Sequence, residues 1–302
     1  MIHNRLGRRA AIATGVAAIA APSVVRAQAD PIKLATLTPL TGAGGPYGPA
    51  MAKAAAGVVE EVNSAGGVLG RRIQLISEDD QTSPEAGVRA ARKLIDVDKV
   101  SAILGTWASS VTTAVAPLCW ESKTMLCTVS GADSITQLPH QGFLVRTQPN
   151  SRLQVTRVGE FILSLGAKRV YTMIPQTPFT QSTFDVLNAV LPKGGAQHQS
   201  MIYDDKKTTY RTEVDQALRT NPDVILANGY TPDTVVLLKD LYRAGFKGKV
   251  LGFAYSINQK LVDQVAQPEV VEGVYTFAPS PAEGSGAFER ARKASGLANP
   301  DP

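Results

Sequence analysis

From Ile32 onward the chain alternates short apolar runs with longer stretches of helical period. The runs over 32–37, 73–77, 100–104, 124–129, 168–174, 197–203, 224–227, 250–253 and 273–277 read as strands. Most are unbroken rather than alternating, the pattern of strands covered on both faces. Between them, 46–63, 83–97, 109–121, 150–165, 180–191, 209–220, 232–244 and 258–266 carry the 3.6-residue period of helices. Strand and helix in strict alternation predict an α/β fold with parallel sheets.

Several boundaries carry their own signals. Ser83-Pro84-Glu85 and Thr231-Pro232-Asp233 read as an N-cap followed by proline in the first turn, and Ala65-Gly66-Gly67 and Ala244-Gly245 as glycine helix ends. One set of βα units runs to about Val129, the chain crosses over through 143–149, and a second set follows before a return strand near 273–279. The expected organisation is two Rossmann-like lobes joined by a hinge, with 30–148 and 277–302 in the first and 149–276 in the second.

Charge changes the picture at the amino terminus. Residues 1–29 hold Arg5, Arg8, Arg9 and Arg26 and no acidic residue, then a small apolar run and Ala27-Gln28-Ala29. This is the profile of an export signal cleaved after Ala29; the adjacent arginines point to the twin-arginine route, with the general secretory route as the alternative. The whole chain has 31 Lys plus Arg against 26 Asp plus Glu, so without the four arginines the balance is 27 to 26. The basic surplus belongs to the signal, and nucleic-acid binding is excluded as a function class. No later apolar run reaches the roughly 20 residues of a membrane helix. The two cysteines, Cys119 and Cys127, read as unpaired core thiols.

Ligands of doubly wound sheets sit at the carboxyl ends of strands, which directs attention to the strand-to-helix turns. One holds Gly42, Gly44, Gly45, Pro46, Tyr47 and Gly48; the glycine spacing misses a dinucleotide fingerprint, and Pro46 removes a backbone donor. Another holds Trp107, Ala108, Ser109 and Ser110, with hydroxyls at a helix start that can cap the helix or hold an anion. Ser130-Gly131-Ala132-Asp133 and Asn228-Gly229-Tyr230-Thr231 complete the set. Tyr47, Trp107 and Tyr230 fall at one edge of a sheet, where burying a ring takes a ligand or the other lobe. His140 and His198 are isolated, no metal spacing or nucleophile elbow is present, and Glu78-Asp79-Asp80 reads as a solvated or capping cluster. The chain reads as a binding protein without cofactor, not an enzyme.

These turns carry a resemblance. Ile32-Lys33-Leu34-Ala35 with Leu40-Thr41-Gly42 and Tyr47-Gly48, the Asn63 to Gly70 segment, Glu78 to Gln81, Gly105 to Thr113 with Pro117, and Asn228-Gly229-Tyr230 together resemble type I periplasmic binding proteins of the leucine/isoleucine/valine-binding group. The resemblance implies a periplasmic, monomeric protein that closes on an amino acid or related carboxylate and delivers it to a membrane ABC permease. The alternative is an extracytoplasmic sensor module that regulates a receptor. It implies that Ser109, with Ala108 and Trp107 beside it and Ser130 and the turn to Ala132 helping, holds a carboxylate. Tyr47, Tyr230 and Phe179 would line the cleft, and Ala254 would stand where amino-acid-binding members place the acid that holds the ammonium. Without that acid, the ligand is a carboxylate lacking an amine, or an amine held by Asp233 or by another group. The family pattern also runs on past Pro302, so the C-terminal part of the first lobe is expected to be missing from this sequence.

Overall fold

The computed structural model describes residues 30–279 and 286–296. The export signal expected over 1–29 lies outside the described residues.

The first lobe alternates β1 (Ile32–Thr38), α1 (Gly48–Ser64), β2 (Ile73–Asp79), α2 (Pro84–Arg92), β3 (Ala102–Gly105), α3 (Ser109–Ser122), β4 (Met125–Thr128) and β5 (Leu144–Arg146). Its strands form one parallel sheet in the order β2-β1-β3-β4-β5. α2 runs on into a wider π turn over Lys93–Val97. The second lobe follows with α4 (Ser151–Ser164), β6 (Arg169–Pro175), α5 (Pro178–Val190), β7 (Gln197–Tyr203), α6 (Arg211–Leu218), β8 (Val224–Ala227), α7 (Thr231–Arg243), β9 (Lys249–Phe253), α8 (Gln259–Val265), α9 (Pro268–Val271) and β10 (Tyr275–Phe277). Its parallel sheet has the order β10-β9-β8-β6-β7. Finally α10 (Gly286–Ser295) packs on α1, where Ala294 and Ser295 approach Gly57 closely.

The unbroken apolar strands have the reason expected. In β6 and β8, Tyr171, Met173, Ile225 and Ala227 face a core with Val214, Leu237, Leu241 and Leu261. On the opposite face of the same strands Val170, Val224 and Leu226 meet a second core with Val155, Ile162 and Leu187. Side chains alternate across a strand, so a sheet coated on both sides needs apolar residues at every position. In the first lobe Leu37, Ile103 and Leu126 bury against Leu94, Val111, Val115 and Cys119.

Two stretches differ from the sequence reading. The crossover over 143–149 contains the edge strand β5, which pairs parallel with β4 through Leu126 and Leu144. Its three residues alternate buried Leu144 with exposed Val145, too short a signal to separate from a linker. The return strand is shortened to Tyr275–Phe277 and pairs with β9, so Phe277, counted with the first lobe on sequence, ends a strand of the second sheet. Cys119 and Cys127 are both free, and burial pushes the Cys119 thiol up to about 12. No helix among the described residues is long and apolar enough to cross a membrane.

Candidate functional site

The carboxyl ends of both sheets meet at one cleft with a cavity of about 110 Å³, several times the roughly 10–15 Å³ one water needs. Tyr47, Trp107, Ala108, Ser109, Phe179, Tyr230 and Ala254, all singled out on sequence, line it together. Among the described residues that line it, none is charged.

Aromatic rings from both lobes are prominent in the wall. Trp107 stacks on Tyr47 at 5.2 Å and meets Tyr230 at 5.5 Å and Tyr255 at 6.0 Å from the other lobe. Phe179 stands edge-on to Tyr255 and Phe253, and its ring lies so close to Gly131 that a Cβ there would sit 2.5 Å from it. Ring pairs of this kind add to the burial of their area. Tyr255 donates its hydroxyl to the Asn228 side-chain carbonyl, whose amide donates to Thr183 at 2.9 Å. Those polar groups are therefore spent within the second lobe.

The polar end of the cleft is the start of α3. Its N-cap is Ala108, which has no side-chain acceptor, so the first N–H groups of the helix go without a capping side chain. Ser109 is the first helical residue, not the cap; its hydroxyl accepts from the Ala132 N–H at 3.3 Å and keeps its own proton for another acceptor. Thr106, at φ 54°, holds the turn before it. Its carbonyl accepts the hydroxyls of Thr112 at 2.9 Å, Thr128 at 2.7 Å and Ser130 at 2.5 Å. These hydroxyls also contact one another, Thr112 and Ser130 at 2.5 Å, and the shared network around one carbonyl pins a left-handed residue that costs energy outside glycine.

This changes the place of two sequence-based site residues. Ser130 is fully buried and spends its proton on the Thr106 and Trp107 carbonyls; Ala132 is fully buried and spends its N–H on Ser109. Both stand behind the wall, not in it, because the chain between them turns Gly131 toward the cleft. Asp233 does not line the cleft either. Its Oδ1 accepts the Tyr230 N–H at 2.9 Å and its Oδ2 accepts the Tyr203 hydroxyl, so it caps α7, whose N-cap is Tyr230 and not Thr231. Burial pushes its carboxyl up to about 6. A Cβ on Gly229 would lie 2.1 Å from this pair, which is why glycine separates it from the cavity.

Sequence reasoning missed Gln148, Gln154, Thr177, Thr180, Phe253, Tyr255 and Phe277. Tyr255 and Phe253 had a usable signal, aromatic residues at the carboxyl end of a strand; the glutamines lie in and just after the crossover and had none. His198 is a half-buried residue of the edge strand β7, away from the cleft, bonded to Thr172 at 2.8 Å and Asn188 at 2.9 Å, and burial lowers it to about 4.

Two helix-wrapped parallel sheets with an uncharged aromatic cleft between their carboxyl ends define a two-lobed ligand-binding protein. The chain belongs to the periplasmic binding protein family, whose model matches residues 31–300. It is 25% identical over 277 residues to an amino acid binding protein of Pseudomonas aeruginosa, covering 88% of this chain and 73% of that one. Among solved structures it matches a leucine binding protein of Thermotoga maritima with TM-score 0.78 at 24% identity, over 88% of this chain and 76% of that chain. It also matches an ABC-transporter solute binding protein of Rhodopseudomonas palustris in complex with p-hydroxybenzoic acid, with TM-score 0.76 at 17% identity, over 88% and 73% of the two chains.

Proposed function

We propose that this protein is the periplasmic substrate-binding component of an ABC importer, exported by the signal over 1–29, and that its cargo is a small carboxylate with an apolar, flat body and no free ammonium group. The observation that carries this reading is the charge pattern of the cleft: an uncapped helix start at Ala108 and Ser109, aromatic rings opposite, and no charged side chain among the described residues of the lining. A helix N-terminus favours an anion, by up to about 2 kcal/mol where water is partly excluded. The Ser109 hydroxyl adds a donor to it. An ammonium closed into the same space meets no carboxylate: Ala254 has none and Asp233 is committed to Tyr230 and Tyr203. Losing a charged hydrogen bond costs roughly 1.5 to 3 kcal/mol, about ten- to a hundredfold in affinity. The Rhodopseudomonas palustris relative, with p-hydroxybenzoic acid bound, carries a ligand of this chemistry on the same fold.

The test is a thermal-shift and calorimetric panel of benzoate, 4-hydroxybenzoate, phenylpyruvate, 4-methyl-2-oxopentanoate and leucine. A ligand at a hundred times its dissociation constant adds about 2.7 kcal/mol of stability. Carboxylates without an amine are expected to stabilise the protein, and leucine is expected to bind at least tenfold more weakly than its keto acid. Leucine binding as tightly as the keto acid overturns the cargo assignment.

A further inference from the structure

The Tyr47 hydroxyl lies at the cleft yet is committed to the opposite lobe. It donates to the Ala254 carbonyl at 3.2 Å, lies 3.0 Å from the Thr231 hydroxyl, and accepts from the Asn258 side-chain amide. Its proton and at least one lone pair are thereby engaged by groups of the second lobe, while Thr231 directs its own proton to the Tyr255 carbonyl at 3.1 Å. Asn258 is held for this contact by its other end. Its Oδ1 accepts the Leu261 N–H at 3.0 Å as the N-cap of α8, so its amide nitrogen has to face Tyr47, Thr231 at 3.1 Å and the Ala254 carbonyl at 2.9 Å. Two residues on, Lys260 donates from its ammonium to the Pro46 carbonyl, beside Tyr47 and again across the lobes.

We infer that Tyr47, Asn258 and Lys260 form a clasp that stabilises the closed arrangement of the lobes, and that Tyr47 is a positioning residue for binding rather than a ligand contact through its hydroxyl. Every group in the clasp comes from the chain, so its strength is the same whatever the cargo. Ala254 takes part through its backbone carbonyl, so at the position where the resemblance expects an acid this chain uses the main chain to close the cleft. Affinity scales with the fraction of molecules in the binding-competent arrangement. A change in the clasp therefore moves the affinities for all ligands by one common factor, whereas loss of a ligand contact changes their ratios.

The test uses Tyr47→Phe, which keeps the ring stacked on Trp107 and removes the hydroxyl, and Asn258→Ser, which keeps an N-cap for α8 but is too short to reach Tyr47. Small-angle scattering of the protein without added ligand reads the lobes directly, and it does so independently of what the cargo is. Each variant is expected to increase the radius of gyration, and the double variant to do little more than either alone, because both remove one interaction. With benzoate and 4-hydroxybenzoate as probes, each variant is expected to lose roughly three- to tenfold in affinity, equally for both. An unchanged radius of gyration in both variants overturns the clasp, as does a wild-type value already matching separated lobes. Unequal losses for the two probes overturn the positioning role and make the hydroxyl a ligand contact. If neither probe binds, the cargo reading fails and the scattering result still decides the clasp.

Discussion

The starts of α3 and α7 occupy matching places, each at the carboxyl end of a central strand and each reaching the cleft, but they are finished in opposite ways. At α7 the helix start is answered from within the chain: Asp233 accepts the Tyr230 N–H and the Tyr203 hydroxyl, and the pair is sealed behind Gly229. The neighbouring α5 is capped as well, by Thr177 accepting from Thr180 N at 3.1 Å. At α3 the cap position is Ala108, and no side chain answers the first turn. The same backbone dipole is neutralised in one lobe and left for a ligand in the other. Polarity in the cleft is thus set by which helix lacks a cap, while the second lobe contributes ring surfaces.

Moving the cap breaks the contrast most severely. Ala108→Asp places a carboxylate at the N-cap of α3, where the backbone is already extended at φ −71° and ψ 128°. It takes the N–H groups proposed for the ligand and repels an anionic ligand besides. Carboxylate affinity measured by calorimetry is expected to fall by about a hundredfold, the upper end of the ten- to hundredfold of one charged hydrogen bond because repulsion is added to it. Ala108→Asn, a cap without charge, is expected to lose less, and equal losses in the two would remove electrostatics as the cause.

The two buried carboxyls sharpen the contrast. Burial pushes both Asp80 and Asp233 up to about 6. Asp233 uses both oxygens, whereas Asp80 accepts from Thr82 N at 2.7 Å with Oδ1 and leaves Oδ2 without a partner. A carboxyl whose pKa is raised by folding is best tolerated protonated, so its contribution is full below about pH 4 and is lost as pH rises to about 6. Asp80→Asn mimics the protonated form. Its advantage over wild type in melting experiments is expected to be absent near pH 4, to grow through pH 6 and to level off above at up to roughly 3 kcal/mol. Asp233→Ala is expected to lower stability by about 1–3 kcal/mol, since it uncaps α7 and leaves the Tyr203 hydroxyl buried without its acceptor. A pH-independent difference between Asp80→Asn and wild type would show that folding leaves the carboxyl's titration unshifted.

How far the sequence reached follows the same physics. Long apolar strands such as β6 and β8 stand out because both faces of the sheet are covered, and Ser83 caps α2 as its sequence suggests, through a 3.4 Å contact to Ala86 N. The aromatic turns were legible because rings at the carboxyl ends of parallel strands have few other places to go. What escaped depends on partners far apart in the chain. Asp233 reads as a free acid until Tyr203 is beside it, 30 residues away. Tyr47 lines the cleft as its sequence suggests, but its hydroxyl is claimed by Asn258, 211 residues away. Local pattern reports which face is buried, and it is silent on which polar groups are already spent.

Ser130 gives the smallest and most discriminating effect, because the sequence assigned it to the ligand and the fold puts it behind the ligand wall. Its hydroxyl reaches the Thr106 carbonyl at 2.5 Å and the Trp107 carbonyl at 2.9 Å. In Ser130→Ala the Thr106 carbonyl still has Thr112 and Thr128 as donors, so the left-handed turn keeps two of its three pins. The expected stability loss is that of one net hydrogen bond, about 1 kcal/mol, or a few degrees in melting temperature. Carboxylate affinity is expected to stay within roughly twofold, since no ligand donor is removed and Trp107 and Ser109 are held from elsewhere. The opposite split, a melting temperature at the wild-type value with tenfold weaker binding, would place Ser130 in contact with the ligand. The polar end of the cleft would then be a hydroxyl pair, with the uncapped helix start in a supporting part, and the difference between α3 and α7 would lose most of its meaning.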